Sequence, residues 1–478
     1  MDFNLKKKFM ARTKISRVGA CFALGRLVRL NAIILATLFV PANHAGAQGV
    51  SADSPSLEAL LARADSVNPS IQAARDRVIA ARARIGPAAT WPDPMLMAGI
   101  QNLPLSSSPA AGHAGETAPG DPMTMKMVGI SQTIPYPGKL ALRRQSAEYE
   151  ARAVAADLDA ARLEVERNVR SQYFELFYLD KAIEIAERNR GVLADVIQVT
   201  EAHYAAGTGG QQDVLKARVD AARLGETTSA LLEQKRSALA ELNALLDRES
   251  TTPVTSPAIP QRIVSAAIQS DPSQVRFTSQ SLGARVADSP LPPLADLQDL
   301  AVKQSPLLRD SEARLEAQAA RVSLTRKESR PDFDLSLQYG QRNYRPDMIS
   351  AQLSVPIPLH RGSRQQQQVA EARSEFSAME SDRRAQINSI RAQVARLVSD
   401  IERERTELAL YAKAILPQGA AAATASLASY QSGKTNLLTV LDNQNTLFTY
   451  QTAYYRAVAD FAKSLAELEQ VVGGEILR

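Results

Sequence analysis

Over part of the chain's second half, apolar and polar residues alternate strictly. Phe333, Leu335, Leu337 and Tyr339 fall on one side of an extended chain; Asp332, Asp334, Ser336 and Gln338 fall on the other. A second run sets Ile349, Ala351, Leu353, Val355 and Ile357 against Ser350, Gln352 and Ser354. This period predicts strands over 332–341 and 348–357, with a turn near Asn343-Tyr344-Arg345-Pro346-Asp347. Weaker alternation marks strands over 91–101 and 123–134, joined by a Pro/Gly/Ser/Ala-rich loop, 102–122. Apolar-out, polar-in strands fit a lipid-facing barrel with a wet lumen. Four strands cannot close one, because the smallest such barrels need about 8. The strands must be pooled between copies, and three copies supply 12.

Elsewhere the period lengthens. Tyr454, Ala457, Phe461, Leu465, Leu468 and Val472 step by three and four, which keeps one helical face against a neighbour. Residues 138–252, 359–416 and 418–478 contain no proline and are rich in Ala, Leu, Glu, Arg and Gln. They predict long helices over 139–206, 211–247, 361–431 and 435–472, with a kink at Pro417. The first would be about 100 Å long, far beyond an ordinary globular helix. Gly207-Thr-Gly-Gly210 and Ser432-Gly433-Lys434 break the pattern at matching places and read as tight turns of two helical hairpins.

The chain is written twice. Tyr204-Ala-Ala-Gly207-Thr-Gly-Gly-Gln-Gln-Asp-Val-Leu215 recurs 226 residues later as Tyr430-Gln-Ser-Gly433-Lys-Thr-Asn-Leu-Leu-Thr-Val-Leu441. Asn68-Pro69-Ser70-Ile71 is echoed by Ser305-Pro306-Leu307-Leu308, and Ile134-Pro-Tyr-Pro137 by Val355-Pro-Ile-Pro358. The expected organisation is a first repeat at 48–249, a Pro/Ser-rich linker at 250–293 and a second repeat at 294–475.

The N-terminus changes how the charge is read. A basic stretch, an apolar run from Leu30 to Val40 and Ala45-Gly46-Ala47 predict a secretory signal peptide over 1–47. Of 56 basic and 51 acidic residues, that segment holds eight and one, leaving 48 and 50 in the mature chain. The net charge of +5 thus becomes −2, and the basic balance gives no reason to expect nucleic acid as a partner. The single cysteine, Cys21, lies in the leader, so no disulfide is expected. Val18-Gly19-Ala20-Cys21 has the outline of a lipobox, but the apolar run follows the cysteine, so lipidation is not expected.

No catalytic constellation emerges, and no cofactor or resident metal is expected. His113, His203 and His360 are scattered, no Gly-rich phosphate loop opens a helix after a strand, and no nucleophile elbow occurs. Six methionines, Met95, Met97, Met123, Met125, Met127 and Met348, lie in or beside the strands. Thioethers suit Cu(I) or Ag(I), but the plainer expectation is apolar side chains meeting lipid.

Together the duplicated tip motifs, Ser131-Gln-Thr-Ile-Pro-Tyr-Pro-Gly-Lys139 and Asp93-Pro94 give the chain a family likeness over roughly 55–475. It resembles the TolC-like outer-membrane factors, exit ducts of tripartite efflux and secretion systems. Trp91-Pro-Asp-Pro94 and Gln132–Lys139 look most like the heavy-metal branch, which serves cobalt–zinc–cadmium and copper–silver pumps. The resemblance implies a homotrimer in the outer membrane with a 12-stranded barrel and a long periplasmic helical tunnel. It implies a periplasmic adaptor and an inner-membrane pump, RND type for this branch, as partners. It also implies a gate at the periplasmic tip. Asp213 falls on the family's gate Asp and Tyr430 on its gate Tyr, while the gate Arg position is Thr435, beside Lys434. A lysine does not reproduce a bidentate guanidinium, so the lock must differ in form. Drug efflux or type I protein secretion is the alternative cargo. A periplasmic coiled-coil adaptor is the alternative of another class, though it would carry one hairpin rather than two.

Overall fold

The computed structural model describes residues 56–102, 124–254, 257–260, 263, 291–342 and 345–476. The expected signal peptide, nearly all of the loop at 102–122, Met123 and most of the linker lie outside the described residues.

Each repeat opens with a helix that stops and restarts. The first helix, α1 (Leu57–Val67), ends at Asn68, and α2 (Pro69–Ala83) begins one residue later. Asn68 Oδ1 accepts hydrogen bonds from the backbone N–H groups of Ser70 (2.9 Å) and Ile71 (3.4 Å). Proline at the first helical position forfeits a donor the helix does not need there. A short α3 (Ile85–Ala89) leads into strand β1 (Met95–Gln101), followed by β2 (Met125–Ile134). Then come α4 (Lys139–Ala205), 67 residues long, and α5 (Gln211–Leu245).

The second repeat has the same plan. Helices α6 (Leu294–Gln304) and α7 (Pro306–Glu328) meet at Ser305, the counterpart of Asn68. Strands β3 (Phe333–Arg342) and β4 (Met348–Ser354) follow. A π turn (Arg361–Gln365) opens α8 (Gln366–Leu410), a second π turn (Tyr411–Ile415) joins it to α9 (Leu416–Gln431), and α10 (Leu437–Val472) closes the repeat. The second π turn lies just before Pro417. In an α-helix the proline ring would clash with the carbonyl four residues back, and a wider turn relieves that. The expected kink is therefore taken up as a π bulge, and the helix runs on to the tip.

The long helix α4 is the spine, packed against α2, α5, α7 and α10. Its buried stripe includes Val165, Val169, Phe174, Leu179, Ala182, Ala186, Leu193 and Val196. On α10 the facing stripe is Ala457, Phe461, Leu465, Leu468 and Val472, all buried. Each large apolar side chain removed from water contributes about 1.5–3 kcal/mol. Ion pairs add register between the repeats. Arg170 Nη1 reaches Glu469 Oε2 at 2.7 Å with both side chains nearly buried. Glu175 on α4 accepts from Arg456 at 2.8 Å and from Lys463, both on α10.

The strands form one antiparallel sheet in the order β1-β2-β3-β4. Lys139 clamps this sheet to the helices. Its buried ammonium donates to Asp332 Oδ1 (2.7 Å) and to the Arg330 carbonyl (2.9 Å), and Tyr136 N–H donates to the same Asp332 oxygen (2.7 Å). Asp332 stands just before β3 and Lys139 at the start of α4, so one cluster joins the two repeats where strand gives way to helix.

Candidate functional site

The hairpin ends are built alike. Gly207 and Gly433 hold φ of 71° and 70°, a left-handed conformation costly for other residues. In the first tip, Gly207 N–H bonds the Tyr204 carbonyl (3.0 Å) and Thr208 N–H the His203 carbonyl (2.9 Å). In the second, Gly433 N–H bonds the Tyr430 carbonyl and Lys434 N–H the Ser429 carbonyl, both at 2.9 Å. The residues correspond pair by pair at the offset of 226.

Side chains then break the symmetry. Tyr204 is 50% exposed, whereas Tyr430 is 6% exposed. The Tyr430 ring lies 5.2 Å from that of His203, and its hydroxyl donates to Thr200 Oγ1 at 3.3 Å. The second tip is thereby anchored on the last turns of α4. Asp213 sits half-buried in the first turn of α5, where the helix dipole favours a carboxylate. Among the described residues no hydrogen bond or ion pair engages its side chain. Lys434 is exposed and Thr435 half-buried.

Tyr430 thus joins Thr200 and His203 rather than Asp213 within the protomer. Sequence reasoning missed Thr200 and His203, which are distant from Tyr430 in the chain and unmarked by any motif. It also missed Asn436, whose Oδ1 caps α10 by accepting from Thr439 N–H (3.0 Å) and Oγ1 (2.8 Å). Its counterpart at the start of α5, Gly210, caps with no side chain. An Asn immediately before an apolar helical run was the available signal.

The sheet has two unlike faces. Cross-strand partners share a face, so the register sorts every side chain. One face carries Leu96, Ile100, Val128, Ile130, Leu335, Leu337, Tyr339, Ile349 and Leu353, each between 47% and 79% exposed. The other carries Ser131, Thr133, Asp334, Ser336, Gln338, Ser350, Gln352 and Ser354. The methionines fall on this second, polar face: Met95 pairs with Ser131, Met97 with Gly129, Met127 with Gly99 and Gly340, Met125 with Gln101 and Arg342, and Met348 with Gly340. This corrects the expectation that they meet lipid. On β1 and β2 they occupy the odd positions while Leu96, Val128 and Ile130 occupy the even ones, and on β4 Met348 is even while Ile349 and Leu353 are odd; a period of two sends the two sets to opposite sides.

In the helical wall, Glu404 on α8 is 6% exposed. One carboxylate oxygen accepts from Ser464 Oγ (3.2 Å) and from Arg403 (3.1 Å); the other has no hydrogen-bond partner. Burial pushes this carboxyl up to about 7, Asp460 and Asp400 add to the rise, and Ser464 and Arg403 oppose it. Among the described residues no group of three or more His, Cys, Asp or Glu side chains is placed to hold a metal ion. Nor is any described helix long and apolar enough to cross a membrane.

A mixed architecture of long helical hairpins on one amphipathic four-stranded sheet, written twice, defines a class of membrane channel, and comparison with known proteins agrees. The model of the outer membrane efflux protein family matches residues 60–248 and 297–474. The chain belongs to that family and is an outer-membrane efflux channel with a long periplasmic helical extension. It is 24% identical, over 338 residues, to the cobalt-zinc-cadmium resistance protein CzcC of Cupriavidus metallidurans, covering 70% of this chain and 74% of that one. Similar solved structures include the outer-membrane channel OprN, with a TM-score of 0.71 at 17% identity over 89% of this chain and 92% of that one. CusC superposes with a TM-score of 0.70 at 15% identity over 88% and 92%. VceC of Vibrio cholerae gives 0.69 at 18% identity over 88% and 96%.

Proposed function

We propose that three copies of this chain form the passive exit duct of a tripartite efflux pump whose cargo is heavy-metal cations. The observation that carries the trimer is the sheet. Strands β1 and β4 are open edges under an apolar face, and unpaired backbone groups cannot face hydrocarbon. Joining β4 of one copy to β1 of the next closes a barrel of 12 strands, each copy giving four. The helices beneath then enclose a tunnel that docks on a periplasmic adaptor and, through it, an RND-type inner-membrane pump. No chemical step is assigned to the chain. The likeness to a cobalt-zinc-cadmium resistance protein supports the cargo.

The gate lies at the tips. Gly207 and Gly433 fix the turns, three copies of Asp213 ring the axis and favour cations, and Tyr430 holds its hairpin against α4 through Thr200. With Thr435 where the family has Arg, Lys434 is the cation available to Asp213 of an adjacent copy, and one ammonium makes a weaker latch than a guanidinium.

A deletion strain scored against Co, Zn, Cd, Cu, Ag, dyes, detergents and antibiotics, and complemented with the wild-type chain, tests the cargo. Selective metal sensitivity is the expected result. Sensitivity to dyes and antibiotics alone would reject it.

A further inference from the structure

We propose that the methionines on the lumen face of the barrel form a thioether site for soft monovalent cations, Cu(I) or Ag(I), near the outer mouth of the duct. The proposal deepens the metal-cargo reading and rests on the sheet being a barrel wall.

The geometry starts from glycines. Gly99, Met127, Gly340 and Met348 form one row across all four strands on the polar face. Met125 lies two residues from Met127 on β2, and Met97 is diagonal to Met127 on β1. Gly340 has no side chain, so a hollow opens between Met127 and Met348. The Met125 side chain already leans into it: a Cβ built at Gly340 would stand 2.8 Å from the Met125 sulfur. Gly340 is buried while its neighbours Tyr339 and Gln341 are exposed. Met127 and Met348 stand two strand spacings apart, about 10 Å. Two thioether arms leaning over Gly340 from either side, with Met125 above, can meet at one ion.

The surrounding chemistry selects the ion. The rows next to this one bring Gln338, Ser350 and Gln101, all neutral; Asp334, on the same face, lies at the opposite end of β3, and Asp347, next to Met348, is engaged by the hydroxyl of Tyr339, a residue of the apolar face, and by Arg342 N–H (3.3 Å). Neutral thioethers without carboxylate or imidazole disfavour Zn(II) and Co(II), which seek nitrogen, oxygen or thiolate, and suit Cu(I) and Ag(I). The opposing charge is Arg342, paired with Met125, but its guanidinium is folded back onto the Pro346 carbonyl through Nε (2.9 Å) and Nη2 (2.6 Å). Uncharged ligands also bind weakly enough to release, as a conduit requires. The site sits beside the β3–β4 turn, which lies at the end of the sheet away from the helices.

The test is Ag(I) titration of the purified full-length protein in detergent, labelled with 13C at the methionine methyls. Met379 on α8 is the internal control. Expected are shifts of the Met125, Met127 and Met348 signals, none at Met379, and none with Zn(II). The triple variant Met125→Leu, Met127→Leu, Met348→Leu keeps volume and apolarity and should lose Ag(I) binding. In the deletion strain it should restore Co, Zn and Cd resistance but not Ag and Cu resistance. Unshifted strand methionines in the wild type, or undiminished Ag(I) binding in a variant that still assembles, overturn the site. If the triple variant fails to assemble, Met127→Leu alone, read by the remaining methyls, decides. Ag(I) binding in a chain whose deletion produces no metal phenotype upholds the site and rejects the cargo reading.

Discussion

Glu404 shows how one buried group sets a pH dependence. Its folded pKa, about 7, exceeds the ordinary carboxyl value because burial disfavours the charge. The native state therefore binds the proton more tightly than the unfolded chain. The contribution of Glu404 to stability is fullest at low pH and declines as pH rises from the unfolded value through about 7. Glu404→Gln removes the decline: the variant should melt higher than wild type at pH 8, by on the order of 1–3 kcal/mol, and level with it at pH 4.5. Calorimetry at the two pH values checks this, and a difference independent of pH would contradict it. Tyr430 makes a related point. Its position was legible from the repeated motif, but its partners Thr200 and His203 were not, because they meet Tyr430 only where the ends of α4 and α9 come together at the tips.

Among elements, the strands and hairpins were the most legible. Alternation in Phe333–Tyr339 and the stripe from Ala457 to Val472 each reflect a face that must leave water or enter lipid, and the structure buries or exposes them accordingly. The restart at Asn68-Pro69 was visible as an echo but not as a helix break, since capping becomes meaningful only once the flanking helices exist. The Pro-Tyr-Pro-Gly-Lys motif gains a physical role from the Lys139–Asp332 cluster. Lys139→Met leaves a carboxylate and a carbonyl without their shared donor and should cost about 2–3 kcal/mol. Combined with Asp332→Asn, the loss should be less than the sum of the single losses, because the two side chains act as a unit. Urea unfolding of the four species measures the coupling, and strict additivity would dissolve the clamp.

At the scale of the whole molecule, the relevant object is the closed duct. In the proposed duct three copies of Asp213 would form a ring of carboxylates that repels anions, most strongly at low salt where screening is weak. In planar bilayers under a salt gradient, Asp213→Asn should shift the reversal potential toward zero and lower the cation preference. An unchanged potential would remove Asp213 from the narrowest point of the conduit.

The sequence by itself determined the duplication, the strand and helix periods, the lipid-type face and the glycine turns, because each is a local consequence of period or of backbone freedom. Only the tertiary structure decided what those elements present to one another. It placed the methionines of β1, β2 and β4 on the polar face of the sheet, since register fixes a face and composition does not. It joined Tyr430 to Thr200 across 230 residues and set Lys139 on Asp332 across 193, contacts that depend on how two repeats are packed and that no local pattern encodes.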